Sequence, residues 1–270
     1  MNSSKLSRLL FEDDEDMDAM LNAIMTASQH PEAREAVRAQ QQKKTQGLMG
    51  VLQDSAVQKA LLKKGIDTTK LKKLGQGTQG IAFDIPGSGR VLKVTEDAHE
   101  ASASNTLVGK SLKHVANVFG VWKFPNTNYY GIVLEKVVPF EQWSNDSLKD
   151  AIEEVVDVGG LKSVLMKTRG NWNQTRQEIL QSETLSIGKT QQEMRAIEQA
   201  FDLLFQAHSE IEQAGLDFFD YNLGNLGKRI KDGSVVVFDI GYSKGGSTPP
   251  TLTERFISSL GCSDCSTHFV

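Results

Sequence analysis

The sequence predicts an α+β chain in which an antiparallel sheet carrying one helix leads into a reduced helical region, the whole preceded by a helical extension. Three observations carry this. Residues 1–70 place apolar side chains at helical spacing, residues 71–138 switch to alternation around glycine-rich turns, and helical spacing returns after Pro139. The expected boundaries are therefore 1–70, 71–138 and 139–270.

The extension comes first. After the acidic run Glu12 to Asp16, the residues Met17, Met20, Leu21, Ile24 and Met25 form one apolar stripe. Pro31 opens a second helix, PEAREAVRAQQQKK, which has good helix formers but few apolar anchors. A third, DSAVQKALLKKG, is capped by Asp54 or Ser55 and stopped by Gly65. The methionine-rich stripe reads either as a packing extension or as an arm that docks a protein partner.

From Leu71 the segment LKKLGQGTQGIAFDIPGSGRVLKV reads as strand, glycine loop, strand, turn and strand. Further strands are expected in VANVFGVWKF and YYGIVLEKV, separated by the PNTN turn, with EDAHEASASNTLVGKSL as the one helix between the two sets. Beyond Pro139, SNDSLKDAIEEVVDVGG has a polar cap and a double-glycine stop. KTQQEMRAIEQAFDLLFQAHSEIEQAG places Ile197, Phe201, Leu204, Phe205, His208 and Ile211 on one face, where His208 reads as a core residue. The stretch Leu161 to Gly188 is polar and ambiguous.

Bulk properties exclude several functions. The chain has 270 residues, 39% of them hydrophobic, with 30 Lys and Arg against 34 Asp and Glu, so no basic field exists to hold nucleic acid or an anionic membrane. No run of about 18 apolar residues occurs, and the acidic N-terminus lacks the apolar core of a signal peptide. A cytoplasmic location is expected. Cys262 and Cys265 are the only cysteines, which argues against a disulfide framework; with His268 they offer three metal ligands, but a loose tail is the better reading.

GQGTQG matches G-x-G-x-x-G at Gly75, Gly77 and Gly80. A dinucleotide fingerprint would open a helix, and a Walker loop would continue into Gly-Lys-Ser/Thr; this loop opens a strand and does neither. What remains is a glycine flap between antiparallel strands, whose backbone can approach phosphates. Lys93 in RVLKV would supply a cation beneath it. A buried ammonium needs an anion, for which Glu100 is the first candidate and Glu96 the second.

Residues 217–241, DFFDYNLGNLGKRIKDGSVVVFDIG, then crowd carboxylates and amides around a buried strand. Such groups carry a desolvation penalty unless paired, and a divalent cation is one partner. Asp220 is followed five residues later by Asn225, then by a hairpin, the strand VVVF and Asp239-Ile-Gly241. In this order, after a glycine flap, Lys93, Glu100 and a hinge-like IVLEKV, the chain resembles the protein-kinase-like fold over roughly Leu71 to Ser243.

The resemblance implies a two-lobed architecture and an ATP- and Mg2+-dependent phosphotransferase, with protein Ser/Thr hydroxyls as acceptors. It implies that Gly75, Gly77 and Gly80 cover the phosphates, Lys93 holds the α and β phosphates, and Glu100 orients Lys93. Asn225 and Asp239 would bind magnesium, and Asp220 would accept the acceptor's proton. Backbone groups of Glu135 and Val137 would meet the adenine edge, with Leu134 behind it. A second register, Asp217 with Asn222, is also possible; Gly224-Asn225-Leu226 favours the first.

Phe218 and Phe219 stand where many protein kinases have His-Arg, so no dependence on activation-loop phosphate is expected. After Gly241 no Ala-Pro-Glu follows in the remaining 29 residues, so the usual peptide platform is expected to be missing or replaced. The rival readings are a kinase-fold binding or structural component, as of a viral particle, and a small-molecule kinase resembling the aminoglycoside phosphotransferases.

Overall fold

The computed structural model describes residues 47–76, 80–182, 185, 188–218, 220–240 and 255–256. The methionine stripe, the second helix, Gly77, Phe219, Gly241, Cys262, Cys265 and His268 lie outside the described residues. The chain divides into two compact units, Met1–Val51 and Leu52–Val270. In the first, residues 47–51 are helical and bury Leu48 and Val51.

The second unit begins with α1 (Ser55–Lys63), whose cap is Asp54: its carboxylate accepts from the Ala56 and Val57 amides. Val57 and Leu61 are fully buried, and the chain leaves the helix at Gly65 with φ +75°. The first sheet follows. β1 (Lys72–Gln76), β2 (Gly80–Ile85), β3 (Arg90–Thr95), β4 (Val118–Lys123) and β5 (Tyr130–Glu135) pair antiparallel in the order β1-β2-β3-β5-β4. A sixth strand, β9 (Arg255–Phe256), adds to the β4 edge, where the sequence predicts five. Two residues are too short a run to show alternation.

Between β3 and β4 lies α2 (Ala98–Leu107), started by Asp97, which accepts from the His99 and Glu100 amides. Its buried face consists of Glu100, Ala101, Ala103, Ser104 and Leu107. Small residues let it lie close to the sheet, and the carboxylate among them marks it as more than a packing helix.

The helical region contains α3 (Ser147–Glu153), α4 (Leu161–Lys167), α5 (Trp172–Leu180) and the 23-residue α6 (Gln191–Gln213). Among its described residues the ambiguous stretch holds α4 and α5, separated where Arg169 and Gly170 both take positive φ. α6 starts with a capping box between Thr190 and Glu193 and buries Ile197, Phe201, Leu204, His208 and Ile211. Phe205 departs from the expected stripe: it is 45% exposed and lays its ring against Trp172. A single turn of 100° per residue cannot bring 204, 205 and 208 equally inward.

A second sheet, β6-β7-β8, is formed by β6 (Val137–Pro139), β7 (Leu226–Arg229) and β8 (Val235–Val237). β7 and β8 form the expected hairpin, turning at Gly233. Arg229 on β7 is the staple of this region. Its Nε donates to both oxygens of Glu135 at 3.2 and 3.0 Å, while its Nη atoms donate to the carbonyls of Leu112 (2.9 Å), Lys113 and Val115 (2.6 Å). The 112–117 segment also exchanges backbone bonds with β8, from Ala116 to Val237 and from Val237 to His114, each 2.9 Å.

Candidate active site

Lys93 occupies the middle of the sheet, opposite Ala82 of β2 and Ile132 of β5. Its Nζ lies 2.5 Å from Glu100 Oε1 and 2.7 Å from Asp239 Oδ2. Glu100 reaches it because Asp97 fixes the start of α2, leaving Glu100 in the first turn and facing β3. The three side chains are 17%, 5% and 33% exposed respectively, so this is a triad closed toward the helix and open toward Asp239. Burial disfavours the Lys93 charge, but Glu100 and Asp239 more than offset it, and its pKa is raised. Burial raises the pKa of Glu100, with the Asp239 charge adding to it and Lys93 opposing.

Asp220 and Asn225 meet in the loop after α6. Asn225 Nδ2 donates to the Asp220 carbonyl at 2.9 Å and lies 3.3 Å from Asp220 Oδ2. The Phe238 amide donates to the Asn225 carbonyl at 3.0 Å, which carries the end of β8, and with it Asp239, to this loop. Asp217 of the second register is exposed, and Asn222 Nδ2 is 3.5 Å from the Asp220 carbonyl.

Of the flap glycines, Gly80 is explained by packing: a Cβ there would sit 2.7 Å from the Val94 carbonyl and 3.3 Å from Lys93 Cε. Gly75 is exposed at a register irregularity of β1, and a Cβ would meet nothing within 4 Å, so its surroundings are open to a ligand. The hinge segment is largely committed to the protein. Leu134 lies in the core, the Glu135 amide donates to the Asn117 carbonyl at 2.8 Å, and the Lys136 amide donates to Gly89 at 2.9 Å. Glu135 therefore offers no amide to a ligand. Val137 pairs with Arg229 between β6 and β7.

The donor set suits a hard cation held jointly with phosphate. Magnesium takes one or two protein oxygens and completes its shell with water and phosphate. With Nδ2 of Asn225 turned to Asp220, its Oδ1 is the atom left for such an ion, and Asp239 supplies a carboxylate. Among the described residues no cluster of three His, Cys, Asp or Glu side chains could hold a metal alone. A surface groove of about 490 Å³ between α3 and the start of α6 is lined by Asp150, Glu153, Glu154 and Glu193 against the single cation Lys189, a net acidic lining that disfavours phosphate.

Lys162, at the start of α4, is absent from the sequence reading. Its Nζ stands 2.5 Å from Asp220 Oδ1. Nothing in the local sequence marks it, since it lies 58 residues before its partner in a polar stretch without periodicity.

Sheet order, the β3 lysine paired with the α2 glutamate, and an Asp–Asn loop leading through a hairpin to Asp239 make this a two-lobed protein-kinase-like fold. No family model matches the chain, and no curated protein matches it. Solved structures similar to it include the PknI kinase domain of Mycobacterium tuberculosis, with 16% identity, TM-score 0.32, and coverage of 63% of this chain. This chain spans 58% of the length of that domain. Another is a thermostable mutant of the aminoglycoside phosphotransferase APH(4)-Ia in ternary complex with AMP-PNP and hygromycin B, with 14% identity, TM-score 0.35, and coverage of 70% of this chain and 71% of that one. Among the described residues no helix is long and apolar enough to cross a membrane.

Proposed function

We propose that this chain is an ATP- and Mg2+-dependent phosphotransferase that moves the γ-phosphoryl group to a hydroxyl, as an atypical protein Ser/Thr kinase. The observation that carries the reading is the Glu100–Lys93–Asp239 triad, whose Asp239 follows Phe238, itself bonded through its amide to the Asn225 carbonyl of the Asp220–Asn225 loop. A scaffold has no physical need for a buried lysine held between two carboxylates, because a buried ion pair is weak support for stability.

In this reading Glu100 holds the Lys93 ammonium against the α and β phosphates, and the exposed Gly75 backbone lies over them. Asn225 Oδ1 and an Asp239 oxygen would hold magnesium, which when bound neutralises charge on the β and γ phosphates. Asp220 orients the acceptor hydroxyl and receives its proton. Most of the catalysis is positioning and charge neutralisation, so rigidly placed oxygens and one ammonium suffice. The protein partner, whether substrate or docking target, would engage the helical extension.

The test is incubation with γ-labelled ATP and magnesium, alone and with cell lysate, beside Asp239→Asn. Label on protein that disappears in the variant supports the reading. Thermal stabilisation by Mg·ATP without any transfer would instead identify a nucleotide-binding component. Absence of both transfer and stabilisation would refute the nucleotide site.

A further inference from the structure

We propose that Lys162 is the acceptor-side cation of this site: it holds the Asp220 carboxylate at rest and neutralises the phosphoryl group as it passes to the acceptor. The inference rests on the phosphotransferase reading above and assigns a residue to it from outside the Asp220–Asp239 segment.

The geometry begins with charge. Lys93 is committed to Glu100 and Asp239, at 2.5 and 2.7 Å. Asp220 is the carboxylate of the adjoining loop, and among the described residues Lys162 is the cationic side chain paired with it, at 2.5 Å. The transferred group spreads negative charge over its equatorial oxygens while it lies between the leaving and attacking oxygens. An ammonium bonded to the base that orients the attacking oxygen is within a side-chain rotation of those oxygens. Lys162 is 43% exposed, so it can make that rotation, whereas the buried Lys93 cannot.

The chain also goes to some trouble to put Lys162 there. α3 runs on as a π-helix over Glu154–Val158, an irregularity that recurs at functional sites, and ends in Gly159 and Gly160. At Gly159 a Cβ would meet Ile179 Cγ2 and the Val155 carbonyl at 2.8 Å each. Gly160 has φ +60°, a left-handed conformation that favours glycine. This pair reverses the chain tightly, and Leu161 and Leu165, both fully buried, then fix the rotation of α4 so that Lys162 faces Asp220.

The step balances without further reagents. The acceptor oxygen bonds to the γ-phosphorus as the bond from that phosphorus to the bridging oxygen breaks. The electron pair leaves with ADP, and the hydroxyl proton goes to Asp220. Lys162 gains and loses nothing; it moves from carboxylate to phosphoryl oxygen as charge shifts.

The experiment compares wild type, Lys162→Met and Lys162→Arg for transfer from γ-labelled ATP with magnesium, using the chain itself, dephosphorylated casein and water as acceptors. Binding of Mg·ADP and thermal midpoints are measured in parallel. Loss of one preorganised donor to a transition-state oxyanion lowers kcat by about 10²-fold, which is the fall expected for Lys162→Met. Arg should recover to within about tenfold of wild type, because it keeps the charge with a different shape. The Kd for Mg·ADP should stay within about twofold, since the proposed contact is to a group ADP lacks. A kcat for Lys162→Met within about threefold of wild type overturns the proposal. So does a loosening of Mg·ADP equal to the loss in kcat, which would make Lys162 a nucleotide ligand. A wild type that transfers to none of the three acceptors sinks this proposal and the phosphotransferase reading together, whereas an active wild type with an indifferent variant sinks this one alone.

Discussion

Replacing Lys93 by Met leaves Glu100, 5% exposed, facing Asp239 without a counter-charge. Stranding a buried charge generally costs about 3–5 kcal/mol. Here the cost has a ceiling, because the folded variant can escape by taking a proton onto Glu100. With an ordinary glutamate pKa of about 4.3 and about 1.36 kcal/mol per unit, that proton costs about 3.7 kcal/mol at about pH 7. Asp239 is one-third exposed and regains water, so it adds little. The expected loss is therefore about 3 kcal/mol at about pH 7, falling to no more than about 1 kcal/mol at about pH 5, where a carboxyl is protonated cheaply. Urea unfolding at both pH values measures it as a shift in midpoint at constant slope. The double variant Lys93→Met/Glu100→Gln removes the stranded charge and should recover about 2 kcal/mol at about pH 7. A loss below about 1 kcal/mol at about pH 7, equal losses at the two pH values, or a double variant no better than the single would each refute the reasoning.

Two further outcomes follow from the same structure. Gly80→Ala pushes a methyl against the Val94 carbonyl at 2.7 Å and should lose about 1–3 kcal/mol, while Gly75→Ala, with open space around it, should stay within about 0.5 kcal/mol. Equal thermal midpoints for the two would show that contact between strands is not what requires glycine at position 80. His208 is buried on α6, with Glu212 Oε1 3.3 Å from its Nε2, and burial lowers its pKa more than Glu212 and the nearby Asp217 raise it. The unfolded chain then takes up this proton first, so stability falls as pH drops below about 6.5. His208→Gln should flatten the fall in thermal midpoint between about pH 7 and about pH 5.5; an unchanged slope would rule out the assignment.

The sequence makes the site more legible than its setting. Lys93 and the crowd of carboxylates and amides in residues 217–241 stand out locally, because polar groups there interrupt strands, while the choice of Asp220, Asn225 and Asp239 among them rests on the resemblance to the protein-kinase-like fold. Glu100 is legible as well, as an acid near the start of the helix expected after the Lys93 strand. Lys162 and Arg229 are not, since each acts on partners that lie 58 to 117 residues away, and a surface lysine or a hairpin arginine carries no mark of what it will touch. The second sheet is half hidden: its β7–β8 hairpin is expected from the strand VVVF, but β6, three residues long, is shorter than the alternation needed to recognise a strand. Phe205 shows the opposite failure, where an apolar residue follows the periodic pattern and still ends up half in water.

The single guanidinium of Arg229 ties the end of β5 to three carbonyls of the 112–117 segment, and that segment is bonded in turn to β8 and, through His114, to Glu210 of α6. A connection so cross-braced is a poor pivot. Under the proposed phosphotransferase reading, opening to a nucleotide then falls to β1, whose five residues are all exposed to solvent, as a roof that yields above a floor that keeps its shape.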